Sequence, residues 1–312
     1  MKLATNSGLH RGAGEVRAAF RTGIAHLEER NVPSAALAAE LLLMHVLGRD
    51  RAWIYAHPEY ELTPKEAASY EELVARRGEG VPTQYLTGRQ EFWGLEFEVG
   101  PGVLIPRPET EHVIEVALAR LGARRAEPLR IADVGTGSGC IAVSLARELP
   151  HAEIVATDIS SVALDYARRN AEHQGVSCRV QFSQANLLDS WLALGGPRNS
   201  FDLIVSNPPY VALSDAGNLP REVREHEPAE ALFAGAQGLD IYPPLIDQAA
   251  QLLSPNGFFV VEIGYNGAEH VGALLSSPPW SDLSVVRDLA GVERVISAQL
   301  AANLTNFPRL LF

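Results

Sequence analysis

The stretch Arg130-Ile131-Ala132-Asp133-Val134-Gly135-Thr136-Gly137-Ser138-Gly139 passes from an apolar, strand-like run into a glycine-rich turn, and a helical segment, Cys140–Glu148, follows at once. Glycines at such a turn adopt backbone angles closed to other residues and let a ligand lie against the main chain. The spacing is not that of the dinucleotide fingerprint, which wants its third glycine three places after the second. Here that place is Cys140. Outward from this turn the alternation continues. Strands are predicted at 153–157, 179–183, Phe201–Ser206 and 257–263, and helices at 162–174, 242–253 and from Ala268 onward. Segments 284–288 and 294–300 close the pattern as a terminal pair of strands. Such alternation requires a mainly parallel sheet covered by helices on both faces, an α/β fold. Ligands of these sheets bind at the carboxyl ends of the strands, near the point where strand order reverses.

Two more features fall at strand ends. Asp158 closes the second strand, where a carboxylate can accept both hydroxyl protons of a ribose; a helix cap ahead of Ser160 is the plainer alternative. Asn207-Pro208-Pro209-Tyr210 follows the strand Phe201–Ser206. Proline removes a ladder donor and fixes φ, so the backbone must leave the sheet stiffly there. The Asn207 amide, the Pro208 carbonyl and the Tyr210 ring are then presented together. That trio suits the alkylation of a planar NH2 group, a poor nucleophile because its lone pair is delocalised. The Asn207 side-chain oxygen and the Pro208 carbonyl would hold the two N–H bonds while an aromatic face aims the nitrogen. The competing explanation is a strand ended by a Pro-Pro turn.

Composition narrows the classes. With 312 residues, 46% apolar and 21% charged, the chain has length for two domains or one large one. No apolar run approaches the roughly 20 residues of a membrane span. Residues 1–14 lack the apolar segment of a secretory signal, so the cytoplasm is the expected compartment, without membrane association. Cys140 and Cys178 lack metal-ligand spacing, and no metal is expected. A net charge of -12 argues against a sequence-independent grip on nucleic acid.

Over residues 15–77 the periodicity is helical. Val16, Phe20, Ile24 and Leu27 share one face; Ser34 is read as the N-cap of a helix through Ala38, Leu41, Leu42, His45 and Val46. Thr63-Pro64-Lys65-Glu66 reads as a capping box with proline at the first helical position. At 85–99, alternation around Gly88 and Gly94 reads as a β-hairpin linking the halves, with Phe92 and Trp93 read as interdomain core in preference to pocket lining. The expected division is 1–84 helical bundle, 85–105 hairpin linker and 106–312 α/β domain.

In their order, the glycine loop, Asp158 and Asn-Pro-Pro-Tyr resemble the amino-methyltransferases. Further segments resemble one family among them, the peptide chain release factor glutamine-N5-methyltransferases. They are Gln84-Tyr85-Leu86-Thr87-Gly88, Glu91-Phe92-Trp93-Gly94 and Leu104-Ile105-Pro106-Arg107-Pro108-Glu109-Thr110-Glu111. Glu227-Pro228, Ala231-Leu232, Gly238-Leu239-Asp240 and Val261-Glu262-Ile263-Gly264 join them, and the resemblance spans residues 35–300. It implies a Rossmann-like class I methyltransferase domain, seven-stranded and mostly parallel with the last strand antiparallel, behind a small all-α domain that docks the substrate. It implies S-adenosylmethionine as cofactor, S-adenosylhomocysteine as product, and the Gly-Gly-Gln glutamine of a class-1 release factor as target.

Carried over by position, Gly135, Thr136, Gly137, Ser138 and Gly139 with Asp158 hold the cofactor. Asn186 stands where the family usually has an acidic residue near the adenine, and Leu187 packs against that ring. Asn207 serves cofactor and target amide together, with Pro208, Pro209 and Tyr210 completing a clamp; Asn207, Pro208 and Tyr210 form the expected catalytic set. A monomer without direct nucleic-acid contact is expected, with the loop at 211–240 ordering around the substrate. The tail at 301–312 has no counterpart. Two alternatives stand beside this reading: an adenine-N6 DNA or guanine-N2 rRNA methyltransferase, and a non-catalytic cofactor binder. The acidic balance opposes the first and the intact Asn-Pro-Pro-Tyr the second.

Overall fold

The computed structural model describes residues 14–193, 200–265 and 267–302, so the tail from 303 lies outside the described residues. The chain divides into two units, Met1–Gly88 with Arg221–His226, and Arg89–Pro220 with Glu227–Phe312.

The first unit is helical: Val16–Glu29, Ala35–Leu47, Arg51–Ala56, Pro64–Gly78, Thr83–Thr87 and Arg221–His226. Leu27, Leu42, Leu43 and Leu62 are buried in its core. The Thr63 hydroxyl accepts from the Glu66 amide while the Glu66 carboxylate accepts from the Thr63 amide at 2.7 Å, completing the capping box. Ser34 is not the cap it was expected to be. The short turn between the first two helices needs left-handed residues, and Ser34 takes φ +52 with no side-chain cap bond. Likewise Glu40, not His45, is buried in that helix, with its carboxylate accepting from Arg51 at 2.5 Å and Tyr55 at 2.9 Å. Buried Arg77 donates to the Val81 carbonyl and pairs with Glu222.

The predicted hairpin begins later than expected. Residues Thr83–Thr87 form a short helix started by Pro82 and stopped by left-handed Gly88. Alternating apolar residues in so short a run do not distinguish strand from helix, and the flanking Pro and Gly decide it. The hairpin itself is β1 (Arg89–Phe92) paired with β2 (Leu95–Glu98). Its two-residue turn, Trp93 and Gly94, has φ +55 and +68, the handedness that matches strand twist. Phe92 packs edge-on against Phe97 inside the second unit.

That unit holds a seven-stranded sheet: β3 (Arg130–Val134), β4 (Glu153–Asp158), β5 (Val180–Gln184), β6 (Phe201–Ser206), β7 (Leu253–Glu262), β8 (Trp280–Arg287) and β9 (Glu293–Leu300). The order is β5-β4-β3-β6-β7-β9-β8, parallel from β5 to β7, with β9 antiparallel to both neighbours. Helices Glu111–Leu121 and Cys140–Glu148 fill one face through Ile114 and Leu145; Tyr242–Leu252 and Ala268–Leu275 fill the other through Leu245 and Val271. Chain order reverses between β3 and β6, which leaves a crevice at their carboxyl ends. No helix among the described residues is long and apolar enough to cross a membrane.

Candidate active site

A cavity of about 360 Å³ opens at that crevice. Its lining brings together Gly135, Thr136, Gly137 and Ser138 after β3, Asp158 after β4, Asn186 and Leu187 after β5, and Asn207, Pro208 and Pro209 after β6. Gly139 lies behind the wall. At φ +82, a Cβ there would stand 3.1 Å from both Cα and Cβ of Ala167, so the loop can close on the helix Ser161–His173 only with glycine. Gly137, at φ +57 and part of the cavity lining, has open space where its Cβ would be.

The loop is held by hydrogen bonds from beneath. Gly135 and Thr136 amides donate to the Thr157 carbonyl at 2.8 and 2.9 Å. Asp133 is fully buried and accepts from the Thr136 hydroxyl at 2.6 Å and the Ala142 amide at 3.1 Å. Burial nevertheless pushes its carboxyl up to about 7. Asn170, also buried, donates to the carbonyls of Ser138 and Glu98 and accepts the Glu98 amide.

Asp158 accepts from the Gly137 amide and the Ser160 amide, each at 2.9 Å, one at each carboxylate oxygen. Burial raises its pKa, and these two bonds oppose the rise. Each oxygen keeps a lone pair for a ribose hydroxyl. Asn186 donates to Asp189 at 3.2 Å, leaving its carbonyl oxygen to meet an amino group. Leu187 is held at φ +50, and Gln248 ties the next residue down through the Leu188 amide at 2.8 Å.

On the opposite wall, the Asn207 side-chain NH2 donates to the Thr110 hydroxyl at 2.9 Å. Tyr210 is placed differently from the rest of the clamp: it is not among the residues lining the cavity. Its hydroxyl donates to Glu262 at 3.1 Å, and its ring lies so near Gly264 that a Cβ there would meet it at 2.9 Å. Glu262 is fully buried at the end of β7, and its pKa is pushed up to about 7 by burial against the pull of Thr110, Tyr210 and Arg294. Arg107 lines the cavity and donates at 2.6 Å to buried Glu227, which also accepts the Ile105 amide.

Sequence reasoning gave no site role to Asp133, Thr110, Asn170 or Glu227, although three of them stand inside quoted motifs. The missing signal is a partner: Thr110 and Asn207 meet from distant parts of the chain. Phe92 and Trp93 lie outside the cavity lining; the Trp93 indole donates to Glu148 at 2.9 Å.

Known proteins share this architecture. Residues 18–88 match the PrmC N-terminal domain family and residues 115–222 the methyltransferase small domain family. The catalytic domain of hMettl16, solved with an RNA hairpin, superposes with a TM-score of 0.52 over 75% of this chain and 83% of that one. At 19% identity that likeness speaks for the fold alone. Among whole-chain relatives, the release factor glutamine methyltransferase of Geobacter sulfurreducens is 42% identical over 88% of this chain and 93% of its own length. That of Koribacter versatilis is 45% identical over 90% of this chain and 97% of its own. Identity of that depth across both units makes this chain a member of the release factor glutamine methyltransferase family.

Proposed function

We propose that this chain methylates N5 of the glutamine in the Gly-Gly-Gln motif of class-1 release factors, in the cytoplasm, using S-adenosylmethionine. The observation that carries the reading is the opposition, across one crevice, of a glycine loop with an open Gly137 and an Asn-Pro clamp. The cavity, about 360 Å³, lies within the range of small-molecule sites, and its polar and apolar groups suit each part of the cofactor. Gly135 to Ser138 would border the amino acid portion, Asp158 the ribose hydroxyls, and Asn186 with Leu187 the adenine. When bound, S-adenosylmethionine supplies an electrophilic methyl on a sulfonium and leaves as S-adenosylhomocysteine.

The remaining work belongs to the clamp. With its NH2 committed to Thr110, Asn207 turns its side-chain oxygen to accept one N–H of the target amide. The Pro208 carbonyl accepts the other. Both bonds strengthen as the nitrogen gains positive character, so they favour the transition state over the bound substrate. In the transfer an N–CH3 bond would form as the S–CH3 bond breaks, and one amide proton would leave to solvent. No side-chain base is required, because the nitrogen becomes acidic as it is alkylated. Tyr210 supports the clamp through Glu262.

The deciding experiment offers labelled S-adenosylmethionine with a purified release factor, its Gln→Ala loop variant, DNA and rRNA in parallel. Label on the wild-type factor alone is the expected result; label on nucleic acid alone would refute the proposed target.

A further inference from the structure

We infer that Arg107 binds the carboxylate of the cofactor's amino acid portion, and that buried Glu227 is the positioning residue that aims its guanidinium there. The inference rests on the proposed function, which supplies S-adenosylmethionine as the cofactor. That molecule ends in a carboxylate, and an anion taken out of water needs a charged or hydrogen-bonding partner. The glycine loop has few donors left to offer one. The amides of Gly135 and Thr136 donate to the Thr157 carbonyl, that of Gly137 to Asp158, and that of Gly139 to the Thr136 carbonyl. An anion cradle needs such amides free and aimed at the ligand. Among the described residues that line the cavity, Arg107 is the one cation, against two acids, Asp158 and Glu230.

Sequence and packing fix where that cation stands. Arg107 lies between Pro106 and Pro108, and a residue ahead of proline is driven out of the helical region. Its backbone is extended accordingly, at φ -97 and ψ 140, and leads into the short turn Pro108–Thr110. That turn meets the end of β6, where the Thr110 hydroxyl accepts from Asn207. β6 neighbours β3, whose end carries the glycine loop; Asp158 and Asn186 follow β4 and β5 on the other side of β3. The segment of Arg107 therefore borders the cavity across β3 from the residues given to ribose and adenine. Glu227 is 1% exposed in its side chain, against 30% for Arg107. One of its oxygens accepts from an Arg107 terminal nitrogen at 2.6 Å, the other from the Ile105 amide at 3.1 Å. A guanidinium is a planar fork of donors, and this pair occupies one terminal nitrogen of it. The remaining donors can take a second carboxylate. Because Glu227 holds the fork in advance, less side-chain freedom is lost when that carboxylate arrives.

The test is a cycle of affinities, measured by titration calorimetry on the full chain. The probes are S-adenosylhomocysteine and its carboxamide, which differ only at the carboxylate. Wild type should prefer the carboxylate at least about tenfold, as a charge-assisted fork of hydrogen bonds implies. Arg107→Met should lose that preference and bind both probes about as weakly as wild type binds the carboxamide. Glutamine at 227 has one acceptor oxygen where the carboxylate uses two, so Glu227→Gln should keep only part of the preference. An Arg107 that merely shapes the cavity would weaken both probes together in Arg107→Met and leave the preference intact, which would overturn the inference. A wild type that does not distinguish the probes would overturn it as well. An undiminished preference in Glu227→Gln would remove the positioning role. Should Arg107→Met fail to fold, Arg107→Gln takes its place under the same expectation. No binding of either probe by wild type would instead overturn the cofactor reading, and the carboxylate site with it.

Discussion

Asp133 in β3 and Glu262 at the end of β7 are two fully buried carboxyls, each pushed up to about 7 by burial and each with one oxygen lacking a hydrogen-bond partner among the described residues. What they hold is different. Asp133 grips the glycine loop, through the Thr136 hydroxyl and the Ala142 amide, and so fixes a backbone shape. Glu262 receives the Tyr210 hydroxyl and adjoins Thr110, and so fixes side chains. In the proposed reading the cofactor wall is main-chain geometry, sensitive to an added Cβ, and the substrate wall is side-chain chemistry, sensitive to the loss of one polar atom.

The largest expected effect breaks the substrate wall. Asn207→Ala should lower kcat at least about a hundredfold while leaving affinity for S-adenosylhomocysteine within a few-fold, as titration calorimetry would show. Near-wild-type turnover would remove Asn207 from the clamp. On the cofactor wall, Gly139→Ala forces φ +82 on a residue with a Cβ and crowds Ala167, and should cost about 2–3 kcal/mol of stability by denaturant titration. Gly137→Ala meets nothing in the protein. It should cost only about 1 kcal/mol of stability yet weaken cofactor binding, because the methyl enters the cavity. Equal unfolding midpoints for the two variants would contradict this division.

Asp158→Ala should weaken cofactor binding about tenfold by removing acceptors for the ribose, with turnover at saturation little changed. Unaltered affinity would reassign Asp158 to anchoring the Gly137 and Ser160 amides. The smallest change at neutral pH is expected for Asp133→Asn, whose oxygen can accept both existing bonds. Its mark lies in the pH dependence. The folded-state pKa of Asp133 lies above the ordinary carboxylate value, so the folded protein binds protons more tightly between about pH 4 and 7. Stability from this group therefore falls as pH rises through that window, and the variant should fall less steeply. Parallel stability curves for the two proteins would exclude Asp133 as the source.

Much of the crevice was legible because strand-end residues carry local signals. The glycine loop, Asp158 and Asn207-Pro208-Pro209 were each read from neighbours in sequence, and the structure sets them around one cavity. The parallel sheet followed from the alternation of strand and helix. What escaped depended on distant partners or on turn geometry. Thr110 acquires its partner only when the segment ahead of the helix Glu111–Leu121 meets the end of β6. Ser34 looks like a cap by residue type, but the turn before it fixes the backbone in the left-handed region. Tyr85 lies in an apolar alternation that Pro82 and Gly88 turn into a helix.

The sheet order also sets a schedule for synthesis. β3, β4 and β5 follow one another in the chain and in space, so the glycine loop and Asp158 can be joined by short-range contacts. β6 then inserts beside β3 and brings Asn207, but Glu262 emerges only at the end of β7. A nascent chain stalled between β6 and β7 has a nearly finished nucleotide wall and a clamp without its buried carboxyl. On the proposed reading, methyl transfer, unlike cofactor capture, would then require a chain made and folded through β7.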